Sequence, residues 1–360
     1  MTFTRRDFGK LAAVALPAAS LLAKPNSNFN GVQIGAITYS FRALPSSAEE
    51  VLKYCVDCGI SGIELMSNVA ESYAGSPAPA GRGPGGGPGR GPDGPGGAPV
   101  AGGRGRGPDG GRAPMTPEQQ EARRKAAEEM LKWRTSVYMD KYKAFRKMYE
   151  DAGVKIYAFK LPPTLEMPDA EYEYIWNVGQ TLGANHITME LPTDDKLLQR
   201  VADYAAKRKL NIAFHTHGQG GASGFDKVLS ASKFTALNFD VGHYYGVNGQ
   251  SPAPLVEKYH DRIASLHLKD RKGPGSAAED SGQRPGGPNM PWGQGETPLK
   301  EILQLMKKQK YKFPGSIEYE YDTPEGSDVV TEVKKCVEYC KKALASLGTG
   351  PGFPGATLPR

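Results

Sequence analysis

The sequence predicts an α/β protein built as a single (β/α)8 barrel, and three observations carry that expectation. Strand-like and helix-like segments alternate between residues 31 and 347, the pattern of a parallel sheet with helical crossovers. Three short apolar runs end in histidines and acids: Asn211-Ile-Ala-Phe-His215-Thr-His217, Asn238-Phe-Asp240-Val-Gly-His243 and Ser265-Leu-His267-Leu-Lys269-Asp270. A fourth, Ser316-Ile-Glu318-Tyr-Glu320, ends in acids alone. A closed parallel barrel brings the C-terminal ends of all its strands to one mouth, where its active sites lie. Residues a hundred positions apart would then share one site.

The elements follow in order. Ile34-Gly-Ala-Ile-Thr-Tyr39 reads as the first strand, and 46–58 as a helix opened by a Ser46-x-x-Glu49 capping box and stopped at Gly59. Ile60 to Met66 is the second strand and Val154 to Leu161 the third, with a helix from about Asp169 to Leu182 behind it. Ile187 to Leu191 is the fourth strand, followed by a helix from Asp194 to Lys209. The three histidine-bearing runs are strands five to seven. A helix from Pro298 to Gln309, a strand ending at Glu320 and a helix from Val329 to Leu347 complete the set. Gly and Pro interrupt the connections after strands five and six.

Several segments stand outside this skeleton. Residues 76–114 are almost wholly Gly, Pro, Ala and Arg without an aromatic residue, so they bury too little surface to order themselves. They are expected to form a disordered insertion after strand two. Residues 272–290 make a second Gly/Pro-rich loop after strand seven, and 348–360 a loose tail. At the N-terminus, Thr4-Arg5-Arg6-Asp7-Phe8-Gly9-Lys10 precedes an apolar stretch from Leu11 to Ala23. Paired arginines, a short apolar run and small residues describe a twin-arginine signal over 1–23 and predict export to the periplasm. The run is too short to span a bilayer comfortably, so no stable membrane insertion is expected.

The formal charge of +6 is unevenly spread. Residues 1–23 carry three bases and one acid, and residues 76–114 five bases and two acids, which leaves +1 for the rest. A near-neutral barrel gives no nucleic-acid surface. Four cysteines fall as the helical pairs Cys55/Cys58 and Cys336/Cys340, near the two ends of the chain. Buried thiols, disulfides between the first and last helices, and half of a zinc site are all compatible with that spacing.

Alternation along a strand puts His215 with His217, His267 with Lys269, and Glu318 with Glu320 on shared faces. Several acids inside a barrel require cations, because an unpaired buried charge is costly. Imidazole with carboxylate suits a transition metal better than Ca²⁺.

The motifs Gly62-Ile-Glu-Leu, Phe239-Asp-Val-Gly-His243, Leu266-His-Leu-Lys-Asp270, Gly293-Gln-Gly-Glu296 and Gly315-Ser-Ile-Glu-Tyr-Glu320 resemble those of the xylose-isomerase-like TIM barrels. This sugar phosphate isomerase/epimerase superfamily includes hydroxypyruvate isomerase, inosose dehydratase and ketose 3-epimerases, and the resemblance runs over roughly residues 31–345. It implies one divalent metal ion (Mn, Zn, Co, Fe or Mg), with Asp240, His267 and Glu318 as ligands from strands six to eight. The family's strand-five glutamate is replaced here by His215, and Glu190 at the end of strand four is the acid available in its stead. The implied chemistry is removal of a proton beside a carbonyl. Glu190, His217, Glu318 and Glu320 are the catalytic candidates, and Glu64, His243, Lys269 and Trp292 the substrate-binding ones. Asp270 joins Lys269 in orienting the substrate, and Glu64 is equally placed to support the ligands from behind.

The expected activity is that of an exported, metal-dependent isomerase or epimerase acting on a sugar or keto-sugar through an enediolate. A β-eliminating lyase or dehydratase, a sugar-binding barrel without chemistry and an endonuclease at abasic DNA are the rivals. The expected partner is a small sugar, and a homo-oligomer is left open.

Overall fold

The structure, a computed structural model, describes residues 24–78, 116–218, 221–276 and 286–345. The signal segment, most of the 76–114 insertion, part of the 272–290 loop and the tail lie outside the described residues.

Eight parallel strands run in chain order around a closed barrel: β2 (Val32–Ile37), β3 (Gly62–Met66), β4 (Lys155–Lys160), β5 (His186–Glu190), β6 (Asn211–His215), β7 (Thr235–Asp240), β8 (Ile263–Leu268) and β9 (Gly315–Ile317). β9 pairs with β2 through Ile34↔Gly315 and Ala36↔Ile317, which closes the ring. A two-residue strand, β1 (Asn28–Phe29), adds antiparallel to β2. The barrel expected from the alternation is therefore present, with the Gly/Pro/Arg-rich segment following its second strand. Its strands are buried on both faces, as a sheet covered by helices outside and filled by side chains inside requires.

The lower interior explains one glycine. A Cβ on Gly35 would lie 2.6 Å from the Gly62 carbonyl and from the Tyr157 ring, so only glycine lets Tyr157 cross the barrel and donate its hydroxyl to Ser316 Oγ at 2.8 Å.

Local detail departs from the sequence expectation in four places. Helix α1 (Ala48–Asp57) is capped one residue later than expected: the Ser47 hydroxyl accepts from the Glu50 amide, and the Glu50 carboxylate reaches back to the Ser47 amide. Helices α2 (Ser67–Ala74), α3 (Pro117–Ser136) and α4 (Asp140–Asp151) were not anticipated. α3 has no buried residue and so no apolar stripe to betray it; Arg134 near its C-terminus anchors it to Glu71 and Glu171. The interrupted connections also hold helices: α7 (Gly221–Ser230) after β6, and α8 (Val241–Asn248) with α9 (Ala253–Tyr259) after β7. Finally, β9 stops at Ile317, so Glu318 and Glu320 leave the sheet rather than ending a strand.

All four cysteines are buried free thiols, which is the hydrophobic-packing alternative. Burial pushes the Cys58 thiol up to about 12 and raises the other three as well. Cys58 Sγ lies 3.6 Å from the Val330 carbonyl on α11 (Val329–Ala345), so the first and last helices do meet.

Candidate active site

Register brings the site together. Glu190 sits beside His215 across the β5–β6 pair, and Asp240 beside His267 across β7–β8. With Glu318, just past β9, four side chains from the last four barrel strands converge. His215, Asp240, His267 and Glu318 are all buried, and each offers one ligand atom within 4.8 Å of the others.

Each is held from behind. Asn238 Oδ1 lies 2.8 Å from His215 Nδ1, so that nitrogen must carry the proton and Nε2 is left with its lone pair. Asp240 Oδ1 accepts the His243 amide at 2.6 Å, capping α8. His267 bridges two carboxylates: Nε2 lies 2.7 Å from Glu64 and Nδ1 2.7 Å from Glu318. Beneath them Glu64 also accepts from Thr188 Oγ1 at 2.7 Å and Asn238 Nδ2 at 3.0 Å. This is the pattern of ligand histidines whose second nitrogen is fixed by a carboxylate or carbonyl.

The electrostatics of the two histidines differ. Burial lowers His267, but Glu64 and Glu318 outweigh it and raise the imidazole to about 10. Burial likewise raises Glu64, yet the neighbouring His267 holds it at about 2. His215 is pushed well below its ordinary range, by burial first and then by the Lys160 ammonium, so it stands neutral and ready to ligate. Burial raises Asp240.

Two observations fit a divalent cation here. Asp240 Oδ2 is fully buried and accepts no hydrogen bond, an expensive condition unless a cation takes it; Lys269 Nζ stands 3.2 Å off as an ion pair only. In the connected network, Glu64, Glu190, Asp240, Glu318 and Glu320 face Lys160, Lys269 and Arg271. Five carboxylates against three cations leave two negative charges once the imidazoles are neutral, as ligation requires.

Above the four-residue cluster lie two polar groups. On one side Glu190 Oε1 accepts from Lys160 Nζ at 3.1 Å, and its Oε2 lies 2.6 Å from His217 Nε2. On the other, Lys269 Nζ donates to Glu320 at 2.7 Å and contacts Glu318 at 2.9 Å and His243 Nε2 at 2.9 Å. His215, His217 and His243 form a second close trio. Arg271 and Lys269 face the two ring nitrogens of His243, which leaves neither free for a cation.

Not every anticipated residue joins the cluster. Glu190, expected as the replacement ligand, stands outside both groups of ligand-competent atoms with half its side chain exposed, because His215 already fills the fifth-strand place. Glu64, expected either against substrate or behind the ligands, takes the second place, buried below the cluster with both oxygens engaged. Trp292 packs edge-on against Tyr339, ring centroids 5.6 Å apart, rather than over the cluster. Asp270 accepts the amides of Gly293, Gly295 and Thr297 and so shapes a loop instead of meeting substrate. Sequence reasoning missed Lys160, Asn238 and Arg271. Lys160 ends a strand as the catalytic candidates do, and that position was the available signal; Asn238 and Arg271 act through partners distant in sequence.

Among known proteins, residues 196–342 match the family model described as xylose isomerase-like TIM barrel. An inosose dehydratase of Clostridium botulinum (strain Eklund 17B / Type B) is 28% identical over 137 residues, covering 35% of this chain. The chain spans 45% of the length of that curated relative. A xylose isomerase domain protein from Alicyclobacillus acidocaldarius superposes with a TM-score of 0.55 at 13% identity, covering 87% of this chain and 99% of that one. A probable 3-DHS dehydratase of petrobactin synthesis from Bacillus anthracis gives a TM-score of 0.53 at 13% identity, covering 85% and 97%. These structures share the fold. The second half of the barrel, which supplies all four clustered side chains, is therefore similar in sequence to the xylose isomerase-like TIM barrels, a family of enzymes.

Proposed function

We propose that the protein is a divalent-metal-dependent enzyme that removes a proton beside the carbonyl of a sugar or keto-sugar and returns it as an isomerase or epimerase. The observation that carries this reading is the buried cluster of His215, Asp240, His267 and Glu318, with one Asp240 oxygen lacking a hydrogen-bond donor. A bound divalent ion would polarise the substrate's carbonyl and neighbouring hydroxyl. His217 is the base. Its Nε2 must carry a proton to meet the Glu190 carboxylate at 2.6 Å, which leaves Nδ1 as the acceptor. Lys160 holds Glu190 in place. Glu320, carried past the eighth barrel strand and held by Lys269, is the second proton carrier. A histidine–glutamate pair thus takes over from the missing strand-five glutamate. The charge balance favours an uncharged sugar over a phosphorylated one, and export of the folded protein to the periplasm belongs to the same reading.

A second reading, β-elimination of water, is favoured by the resemblance to an inosose dehydratase. Fewer parts serve it: His217 takes the α-proton and, as the imidazolium, returns it to the departing hydroxyl. The test has two stages. Metal content by mass spectrometry should show one equivalent in the wild type and none in His267→Ala. Incubation with ketoses and keto-glycosides in deuterated water, followed by NMR, then separates exchange or epimerisation from loss of water. Retention of full metal by His267→Ala would overturn the site assignment.

A further inference from the structure

We propose that Lys160 touches the substrate: its unused N–H groups hold the oxygen that turns negative when the neighbouring carbon loses its proton to His217. The inference rests on the metal–sugar reading and gives Lys160 a part in it beyond the support of Glu190.

Lys160 is the last residue of β4 and pairs with Thr188 of β5, whose hydroxyl donates to Glu64 inside the barrel. Residues paired across parallel strands share a face, so the Lys160 side chain enters the barrel as well. It is 8% exposed. Among the described residues its ammonium has a single hydrogen-bond acceptor, Glu190 Oε1 at 3.1 Å. Glu64 and Glu318 act on it through charge only, being turned to Thr188, Asn238, His267 and Lys269. Two of the three ammonium protons are therefore left without an acceptor among those residues, at a buried position where an unmade hydrogen bond is costly. Lys269, just past β8, shows the contrast: Glu320, Glu318 and Asp240 all lie within 3.2 Å of its Nζ.

Those protons stand beside the proposed base. Lys160 and His217 sit on the two oxygens of one carboxylate, Nζ 3.1 Å from Glu190 Oε1 and Nε2 2.6 Å from Oε2. In a ketose the carbon that loses the proton and the carbonyl oxygen are separated by two bonds. A substrate whose C–H meets His217 therefore brings its oxygen toward Lys160. The C–H electron pair becomes the C=C bond, the carbonyl π pair moves onto oxygen, and the proton rests on His217. Lys160 donates hydrogen bonds to that oxygen and keeps its own protons. Burial lowers its ammonium, but Glu190, Glu64 and Glu318 outweigh burial and raise it. Glu190 already balances the Lys160 charge, which favours an oxygen that turns negative only during the reaction over a permanent anion such as phosphate.

The test separates contact with substrate from action through Glu190. Acetohydroxamate, whose paired oxygens imitate an enediolate, is titrated by calorimetry into the Mn²⁺-loaded protein, and solvent-deuterium exchange of a turned-over ketose is followed alongside. Lys160→Met should weaken acetohydroxamate about tenfold and lower kcat for exchange about 100-fold, with metal content kept at one equivalent. The deciding comparison is Glu190→Ala with and without Lys160→Met, read by binding. A lysine that only holds Glu190 has nothing left to hold in the Glu190→Ala protein. If adding Lys160→Met costs no affinity there, the proposal is overturned; the expected result is the same tenfold loss in both backgrounds. Removing both members strands no half of the ion pair, so this comparison serves even if Lys160→Met alone does not fold. Acetohydroxamate binding that ignores Lys160 sinks this inference and spares the metal–sugar reading. No binding to the Mn²⁺-loaded wild type sinks that reading and this inference with it.

Discussion

Replacing Glu64 by glutamine removes one charge and almost no volume from beneath the cluster. The wild-type carboxylate accepts three hydrogen bonds, from Thr188, Asn238 and His267. A glutamine can keep its carbonyl toward His267 and Asn238 and turn its amide to the Thr188 hydroxyl, which rotates to accept. The fold should therefore survive. What is lost is the charged acceptor 2.7 Å from His267 Nε2, which makes the other ring nitrogen a stronger donor to a cation. A charge-assisted hydrogen bond contributes roughly 1.5–3 kcal/mol. At 1.4 kcal/mol per tenfold, that predicts a loss of about 10- to 100-fold in metal affinity. Competition with a chromogenic chelator, using Mn²⁺ and Zn²⁺ in turn, measures the dissociation constants of both proteins. The competing role, direct contact with substrate, predicts the reverse pattern. Unchanged metal affinity with a raised KM would refute the reasoning.

Two further outcomes follow from burial. His186 is buried against Ser265 and the Tyr157 ring, and desolvation pushes it down to about 4. The unfolded chain takes up this proton near pH 6.5 and the folded protein only near 4, so the contribution is present above 6.5 and is lost as pH falls from 6.5 through 4. The shift corresponds to about 3 kcal/mol. Urea unfolding of wild type and His186→Gln should therefore converge or cross on going from pH 7 to pH 4, and a constant difference between them would show that His186 does not titrate in this way. The four cysteines, all buried with raised thiols, should resist a thiol-reactive dye in the folded protein and react fully in denaturant. Rapid labelling of any one under native conditions would contradict the packing described here.

What the sequence determined by itself follows from short-range physics. Alternating apolar segments and helix stops are local, so the barrel, its strand order and the approximate bounds of the five expected helices were legible; the helix at Asp169–Leu182 has the bounds expected of it. So were Asp240, His267 and Glu318, because polar residues at the ends of apolar strands are conspicuous and a closed barrel gives such ends one destination. α3 was illegible because it buries none of its residues and so leaves no periodic pattern. Only the tertiary structure decided which of these side chains meet. His215 rather than Glu190 completes the cluster because the β5–β6 register sets them side by side and Lys160, at the end of the preceding strand β4, draws the glutamate aside. Glu64 lies under His267 although 203 residues separate them. The surroundings of His243 are set by Lys269 and Arg271 from the segment after β8, by Asp240 at the end of β7 and by Glu320 from the segment after β9. Hydrogen bonds and ion pairs act over a few ångströms in space whatever the distance along the chain, so only closure of the barrel could settle them.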